Sequence, residues 1–286
     1  MAAGQTIPAS NGTETGPQRV SVGHVNALEA VAQSAPPGMA FIPGGEFLMG
    51  TEDKEGFPAD GEGPIRAVRV NPFFMDKTTV TNAEFADFVK GTGYKTEAER
   101  IGWTYVFGQF VTGRALNNVV GTTAATPWWL AVKGAYWAKP EGPDSHIRQR
   151  RDHPVVHVSW NDARSYCAWA GKRLPTEAEW EFAARGGLAQ AKYPWGNELT
   201  PEGQHVCNIW QGTFPTLNTT EDGYAGTCSA DAFPANGYGL HNVAGNVWEW
   251  CADWFSPTYH VDGPRENPTG PPSGQGRVLR GGSFLC

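Results

Sequence analysis

The stretch HPVVHVSWNDARSYCAWAGKRLPTEAEWEFAARGG, residues 153–187, carries the strongest structural signals of the chain. Its beginning, residues 153–160, alternates apolar and polar residues as a strand does. Two helix starts follow, because a Ser or Thr twice stands three residues before an Asp or Glu, and such a pair satisfies two free backbone N–H groups. We therefore predict helices over residues 160–170 and 176–185, each stopped by the glycine that comes next.

The same patterns extend upstream of this stretch. A further hydroxyl–acid pair predicts a third helix over residues 82–90, stopped by Gly91. Before it, MAFIPGGEFLMG (39–50) predicts two short strands around a Pro-Gly-Gly turn, and IRAVRVNPFFMD (65–76) alternates like a strand. Short strands therefore come first in the chain and helices follow.

From residue 193 onward the chain is rich in turn formers, and only GNVWEWCADWF (245–255) and RVLRGGSFLC (277–286) look ordered. Of the 286 residues, 36 are glycine, 22 are proline and 12 are tryptophan, and only 18% are charged. This composition indicates many turns, few long helices, and wide rings that fill the space between loops. We predict an α+β fold with mixed short sheets and a few helices.

The chain reads as one domain over residues 37–286, preceded by a disordered leader, residues 1–36, whose start is rich in small and polar residues. The leader lacks the apolar segment of a secretory signal, and no stretch approaches the roughly 18 apolar residues of a membrane helix. The formal charge of −7 argues against a nucleic-acid surface. We expect a cytoplasmic protein that binds neither nucleic acid nor membrane.

Hard oxygen donors are concentrated between residues 208 and 249, where Asn, Asp and Glu recur near glycines. Such donors suit calcium, which takes about six to eight oxygen ligands in a flexible geometry. Asn and Asp also end turns without binding any ion. The residues alone leave both interpretations open.

Five cysteines occur and none forms a Cys-x-x-Cys pair, which disfavours a zinc ribbon. Cys286 lies three residues after Ser283 and follows a Gly-Gly pair, so it is a candidate reactive thiol; the alternative is a small buried apolar residue. His153 and His157 lie four residues apart in an alternating stretch and are interpreted as structural rather than as metal ligands.

Residues 153–187, together with IPGGEFLMG, VTNAEFADFV, GNVWEW and RVLRGGSFLC, resemble the formylglycine-generating enzyme family from about residue 39 to residue 286. The resemblance implies a fold that is related to the C-type lectin group and low in regular secondary structure. It also implies two structural calcium sites. The first would use side chains of Asn208 and Asp222 and carbonyls of Ile209 and Tyr224. The second would use side chains of Asn242 and Glu249 and carbonyls of Gly245 and Val247.

For the chemistry, the resemblance implies Cu(I) held by two cysteine thiolates, the first of which is matched by Cys286, while Ser283 matches an active-site serine. Soft sulfur ligands suit Cu(I). The expected substrate is the cysteine of a Cys-x-Pro-x-Arg segment in an unfolded sulfatase polypeptide, which molecular oxygen and a thiol reductant convert to Cα-formylglycine. We expect the protein to be a monomer.

The sequence departs from the family pattern at its end. The second copper cysteine of the family is expected a few residues beyond the first, whereas the given sequence stops at Cys286. The family sometimes also pairs a last cysteine with the one that is matched by Cys167. We expect a truncated form of a longer protein or an inactive paralogue, and no copper site of normal affinity in the 286-residue form. The alternative function is non-catalytic binding of sulfatase peptides.

Overall fold

The structure is a computed structural model that describes residues 34–286. Most of the predicted leader, residues 1–33, lies outside the described residues. All the elements below lie in the unit Pro36–Cys286.

Within residues 34–286 the α-helices are α1 (Asn82–Thr92), α2 (Glu97–Ile101), α3 (Trp160–Trp169), α4 (Glu177–Ala184) and α5 (Tyr259–Asp262). The strands are β1 (Met39–Ile42), β2 (Gly45–Met49), β3 (Arg66–Val70), β4 (Phe73–Asp76), β5 (Trp103–Phe107), β6 (Val119–Thr122), β7 (Trp129–Lys133), β8 (Gly212–Thr213), β9 (Leu217–Asn218), β10 (Glu249–Trp254) and β11 (Arg277–Arg280). Short 3-10 helices span Pro58–Asp60, Gly108–Phe110, Gly113–Asn118 and Pro201–Gly203. The predicted α+β class with short sheets and a few helices is confirmed.

The strands form small antiparallel sheets. The two strands of residues 39–50 exist, but they pair with later strands: β1 with β4, and β2 with β3. Gly44, in the turn between β1 and β2, is required because a Cβ there would lie 2.6 Å from the Val70 carbonyl oxygen. Downstream, β5, β7 and β6 form one three-stranded sheet in that order, β8 pairs with β9, and β10 pairs with β11.

The predicted helix starts are confirmed. Thr81, Ser159 and Thr176 each accept a backbone N–H from the third residue of the helix, and the acid there bonds back to the cap. Thr96 makes the same capping box for α2, which the sequence analysis did not predict.

The predicted helix ends are confirmed in two of three cases. Gly171 and Gly186 adopt φ values of 68° and 57° directly beyond the ends of α3 and α4. The predicted stop at Gly91 is wrong, because α1 continues to Thr92 and Gly93 takes the left-handed conformation. At Gly91 a Cβ would make only an ordinary contact, 3.7 Å from the indole nitrogen of Trp169 on α3, so the packing does not require glycine there.

The predicted strand over residues 153–160 is wrong. Only an isolated bridge joins Thr81 to Pro154, and His157 has φ 58°, which breaks an extended chain. The Nε2 atom of His157 lies 2.8 Å from the Pro140 carbonyl oxygen, and His153 Nδ1 lies 3.0 Å from a threonine hydroxyl. The two rings therefore contact different partners, in agreement with a structural role.

Apolar packing forms three clusters among the described residues, and one of them includes Leu240, Val243, Cys251 and Val278 from the last part of the chain. Between α1 and α3, the rings of Phe85, Phe88, Trp137 and Tyr166 form one buried cluster. A second cluster packs α4 on β1, β2 and β3, and a third lies under the sheet of β5, β6 and β7. Through the cluster around α4, parts of residues 207–286 pack on the first strands of the chain.

A buried ionic network connects α4 to β11. Glu181 is 4% exposed and accepts from the Gly50 N–H at 2.8 Å. Arg280 of β11 donates to Glu181 at 2.8 Å, and Arg185 donates to it at 2.7 Å. Although burial favours the neutral acid, Arg280 and Arg185 hold the pKa of Glu181 below its ordinary value. The network thus fixes the strand that leads into residues 281–286.

Candidate functional site

Ser283 and Cys286 lie in one tight turn at the end of β11. The Ser283 hydroxyl oxygen is 3.4 Å from the Cys286 sulfur. The backbone carbonyl of Ser283 accepts the Cys286 N–H at 3.0 Å. The turn begins at Gly281 and Gly282, whose φ values of 94° and 74° suit glycine. Ser283 is buried whereas Cys286 is exposed. The structure therefore presents the candidate thiol at the surface beside a buried hydroxyl.

Three chain segments meet at this turn: residues 208–211, residues 242–247 and residues 281–286. The Trp210 N–H donates to the Cys286 carbonyl at 3.1 Å, and the Gly245 N–H donates to the Gly281 carbonyl at 2.8 Å. Asn208 and Gly245 form a parallel bridge. The segments that carry the predicted calcium ligands are thus hydrogen-bonded to the segment that carries the candidate thiol.

Gly245 is needed where the first two segments touch. Its φ is 79°, and a Cβ would lie 2.3 Å from the Asn208 carbonyl oxygen, closer than any real contact. No larger residue fits there unless one segment shifts.

The residues of the first predicted calcium site are brought together. Asp222 accepts the Ile209 N–H at 3.1 Å and the Tyr224 N–H at 2.9 Å. Asn208 is fully buried, and its Nδ2 donates to the Gly226 carbonyl at 2.8 Å. Its Oδ1 is buried and has no hydrogen-bond partner. An orphan amide oxygen beside a buried carboxylate is the donor set that a hard cation satisfies.

The second predicted set shows the same feature. Asn242 is 7% exposed; its Nδ2 donates to the Ser229 carbonyl at 3.0 Å, while its Oδ1 is buried without a partner. Glu249 accepts the Trp180 indole N–H at 3.0 Å, and burial raises the pKa of Glu249 to about 7. A nearby cation would stabilise the ionised form of this buried carboxylate and lower its pKa. The residues of both sets therefore fit calcium.

The other four cysteines differ from Cys286. Cys207, Cys228 and Cys251 are buried and Cys167 is half-buried, and all are free thiols. Burial raises the pKa of Cys167, Cys207 and Cys228 to about 11 and that of Cys251 well above its ordinary value. A thiol of this kind is protonated at neutral pH in the absence of a metal and is a weak nucleophile. Within residues 34–286, no group of three or more His, Cys, Asp and Glu side chains could hold a metal ion.

An aromatic wall lies next to the candidate thiol, and the sequence analysis did not place it there. It consists of Phe107, Phe110, Trp128, Trp210, Phe214 and Phe284. Phe284 stacks on Phe110 at a centroid distance of 5.8 Å, and Phe214 lies 5.1 Å from Trp128. The abundance of Trp and Phe was visible in the sequence. Which of these rings surround Cys286 was not, because they come from four separate loops.

Asn246 was also missed as a site residue. It is 1% exposed and has φ 62°, which is uncommon for a residue with a side chain. In the sequence it resembles any turn asparagine. Its contacts are long-range and became visible only in the structure.

A sequence model of the family described as "Sulfatase-modifying factor enzyme 1-like domain" matches residues 25–286. The chain is 62% identical over 258 residues to the formylglycine-generating enzyme of Thermomonospora curvata, a match that covers 89% of this chain and 84% of the relative. It is 51% identical over 218 residues to "Inactive C-alpha-formylglycine-generating enzyme 2" of Bos taurus, covering 76% of this chain and 71% of the relative.

Among solved structures, PvdO from Pseudomonas aeruginosa superimposes with a TM-score of 0.61 at 26% identity, covering 86% of this chain and 82% of PvdO. The fold is thus shared beyond close relatives. In the part of the chain that the structure describes, no helix combines the length and apolarity needed to cross a bilayer.

Proposed function

The chain belongs to the formylglycine-generating enzyme family, and from this premise we propose that it oxidises one cysteine of a sulfatase polypeptide to Cα-formylglycine. The observation that carries the proposal is the pair of Ser283 and Cys286, which places an exposed thiol 3.4 Å from a buried hydroxyl. The proposed substrate is a Cys-x-Pro-x-Arg segment in an unfolded chain.

The reaction balances with molecular oxygen and two equivalents of a thiol reductant. The Cβ–S bond of the substrate cysteine breaks and a C=O bond forms at the same carbon, which loses two electrons. The reductant supplies two more, so that oxygen accepts four electrons in all. Hydrogen sulfide, water and the disulfide of the reductant leave.

Copper, when bound, would provide the redox chemistry by which the substrate thiol reacts with oxygen. Cys286 offers one soft ligand for Cu(I), and it is exposed, whereas the other four thiols are buried or half-buried. We therefore take the second sulfur ligand from the thiol of the substrate.

Side chains of this protein would position the thiol, bind the peptide and hold the calcium ions. The Ser283 hydroxyl can donate a hydrogen bond to the Cys286 sulfur or hold a proton close to it. The aromatic wall gives an extended peptide an apolar surface and keeps water from one side of the thiol. Two calcium ions, held by the two ligand sets, would stabilise the loops that carry this surface.

The test is conversion of a Cys-x-Pro-x-Arg peptide in the presence of Cu(I), oxygen and a thiol, followed by mass spectrometry. We expect a product lighter by the change from thiol to aldehyde, and none with Cys286→Ser. Cys167→Ser is the matched control, since its half-buried thiol lies outside the proposed site, and it should retain turnover. Equal turnover of Cys286→Ser and the unaltered protein would refute the assigned role of Cys286.

A second candidate is a non-catalytic protein that binds the same peptide, because a relative with half its residues identical to this chain is described as inactive. Fluorescence anisotropy with a labelled Cys-x-Pro-x-Arg peptide separates the candidates. Binding without conversion, in a sample whose copper content is verified, would favour the non-catalytic function. Absence of both binding and conversion would exclude both candidates for this chain.

A further inference from the structure

Asn246 lies where the three segments of the site meet, and it is hydrogen-bonded to both of the other two segments. Its N–H donates to the Asn208 carbonyl at 2.7 Å, and its carbonyl accepts the Phe284 N–H at 3.0 Å. One residue therefore connects the first predicted calcium loop to the turn of Ser283 and Cys286 through backbone hydrogen bonds alone.

The Asn246 side chain strengthens this connection. Its Oδ1 accepts from Asn208 Nδ2 at 3.3 Å and from the Cys228 N–H at 3.0 Å. The first of these bonds uses the amide nitrogen of Asn208, which leaves the orphan Oδ1 of the same side chain for a cation. Asn246 thus orients a calcium ligand without being one.

Gly245 and Val247, which flank Asn246 in the chain, supply two carbonyl ligands of the second predicted calcium site. A shift of this loop would move Asn246 and, through it, Phe284. The candidate thiol has an additional tie to the first site, because the Trp210 N–H donates to the Cys286 carbonyl only two residues after Asn208.

From these contacts we propose that Asn246 is a positioning residue that couples calcium binding to the geometry of the turn carrying Ser283 and Cys286. Filling the first site fixes Asn208, Asn208 fixes the Asn246 side chain, and Asn246 fixes the Phe284 backbone. The inference rests on the proposed calcium sites and on the role proposed for Cys286.

The φ of 62° at Asn246 makes a clean test possible, because glycine adopts this conformation without strain. Asn246→Gly keeps the backbone bonds to Asn208 and Phe284 and removes only the side-chain bonds. Asn246→Asp keeps an acceptor oxygen for Asn208 Nδ2 and the Cys228 N–H and loses only the 3.4 Å bond from Nδ2 to the Cys228 carbonyl, so it should retain most of the coupling.

The experiment is amide hydrogen exchange of the purified protein with calcium and with a calcium chelator, read by mass spectrometry over residues 208–224 and 281–286. In the unaltered protein, calcium should slow exchange in both regions, by about fivefold or more in residues 281–286. In Asn246→Gly, calcium should still slow exchange in residues 208–224, but the slowing in residues 281–286 should be smaller, because the backbone bonds to Asn208 and Phe284 remain while the side-chain bonds are lost. Asn246→Asp should restore the response.

Asn267→Gly is the matched control. Asn267 also has positive φ, and its Oδ1 accepts the Asn71 N–H, but it lies on the exposed surface away from the site. It should behave as the unaltered protein does. Calcium protection of residues 281–286 that is as large in Asn246→Gly as in the unaltered protein would overturn the proposal, as would no protection of residues 208–224 in the unaltered protein. Because turnover is not measured, failure of the proposed oxidation would leave these readings unaffected.

Discussion

Two regions of the molecule are held together in different ways. Around α1 and α3, the buried rings of Phe85, Phe88, Trp137 and Tyr166 contact one another at centroid distances of 5.3 to 6.0 Å. Around the site, residues 207–286 contain little regular structure, and buried asparagines and backbone hydrogen bonds connect the loops. The helical region is stabilised mainly by apolar burial, although Asn82 Oδ1 is also buried there without a partner. The site region contains two such orphan oxygens, on Asn208 and Asn242, both within the predicted calcium-ligand sets.

This difference explains where an ion matters. Apolar contacts need no ligand, but an orphan buried oxygen costs free energy until a cation or water satisfies it. The site region should therefore respond to calcium, and the helical region should not.

The largest expected effect tests the helical region. Phe85→Ala removes a ring that is 1% exposed and should lower the free energy of unfolding by about 3–5 kcal/mol. The loss, measured by urea denaturation, should be the same with calcium and with chelator. Phe57→Ala, at a side chain that is 75% exposed, is the control and should change little. A calcium-dependent loss at Phe85 would show that the two regions are not distinct.

The next effect tests the site region. Removal of calcium should lower the free energy of unfolding by about 2.7 kcal/mol for each site, relative to calcium at 100 times the dissociation constant of that site. Thermal unfolding followed by calorimetry measures this change. A double variant, Asn208→Ala with Asn242→Ala, lacks both orphan oxygens and should show no response to calcium. If the unaltered protein also showed none, the two ligand sets would not be calcium sites.

A smaller effect separates backbone strain from close approach. Gly245→Ala should cost about 1–3 kcal/mol, because it adds a Cβ at φ 79° and 2.3 Å from the Asn208 carbonyl. Gly239→Ala is the matched control, since Gly239 has φ 81° but no atom within 4 Å of its Cβ position. The excess cost at Gly245, measured by denaturant unfolding, reports the contact between the two calcium loops. Equal costs would mean that this contact is unimportant.

The smallest expected effect is on the pH dependence of the free energy of unfolding, and it concerns His157 in the helical region. His157 faces Pro140, Glu141 and Arg150, and burial lowers its pKa. Because the folded pKa lies below the unfolded value of about 6.5, His157 destabilises the fold only when pH falls below that value. His157→Asn, which tolerates positive φ, should make the loss of stability between neutral and acidic pH shallower. His146→Asn, at an exposed ring, should leave the pH profile unchanged.

The sequence predicted the family, the α+β class and three helix starts, because these depend on local patterns. The capping boxes at Thr81, Ser159 and Thr176 each join residues three positions apart, so the chain needs no tertiary information to show them. The box at Thr96 and Glu99 has the same form and could have been found.

The failures have different causes. Gly91 was predicted to stop α1, but a second glycine follows two residues later, and Gly93 is the one that takes the left-handed cap. Residues 153–160 alternate in polarity, yet His157 turns to reach a carbonyl 17 residues earlier. At the site, Ser283 and Cys286 are near in sequence and were paired correctly. Asn246 contacts Asn208 and Phe284 from far along the chain, and no local pattern reveals that.

The hydrogen bond from Trp210 to the Cys286 carbonyl has a consequence for biosynthesis. Domains form progressively as the chain leaves the ribosome, N-terminal parts first. The helical region can pack once residues up to about α3 and α4 have emerged, since its rings come from residues 85–166. The hydrogen bond between Trp210 and Cys286 can form only after Cys286 has left the exit tunnel. The candidate active site is therefore assembled after the rings of the helical region can pack, on a part of the chain that is already folded.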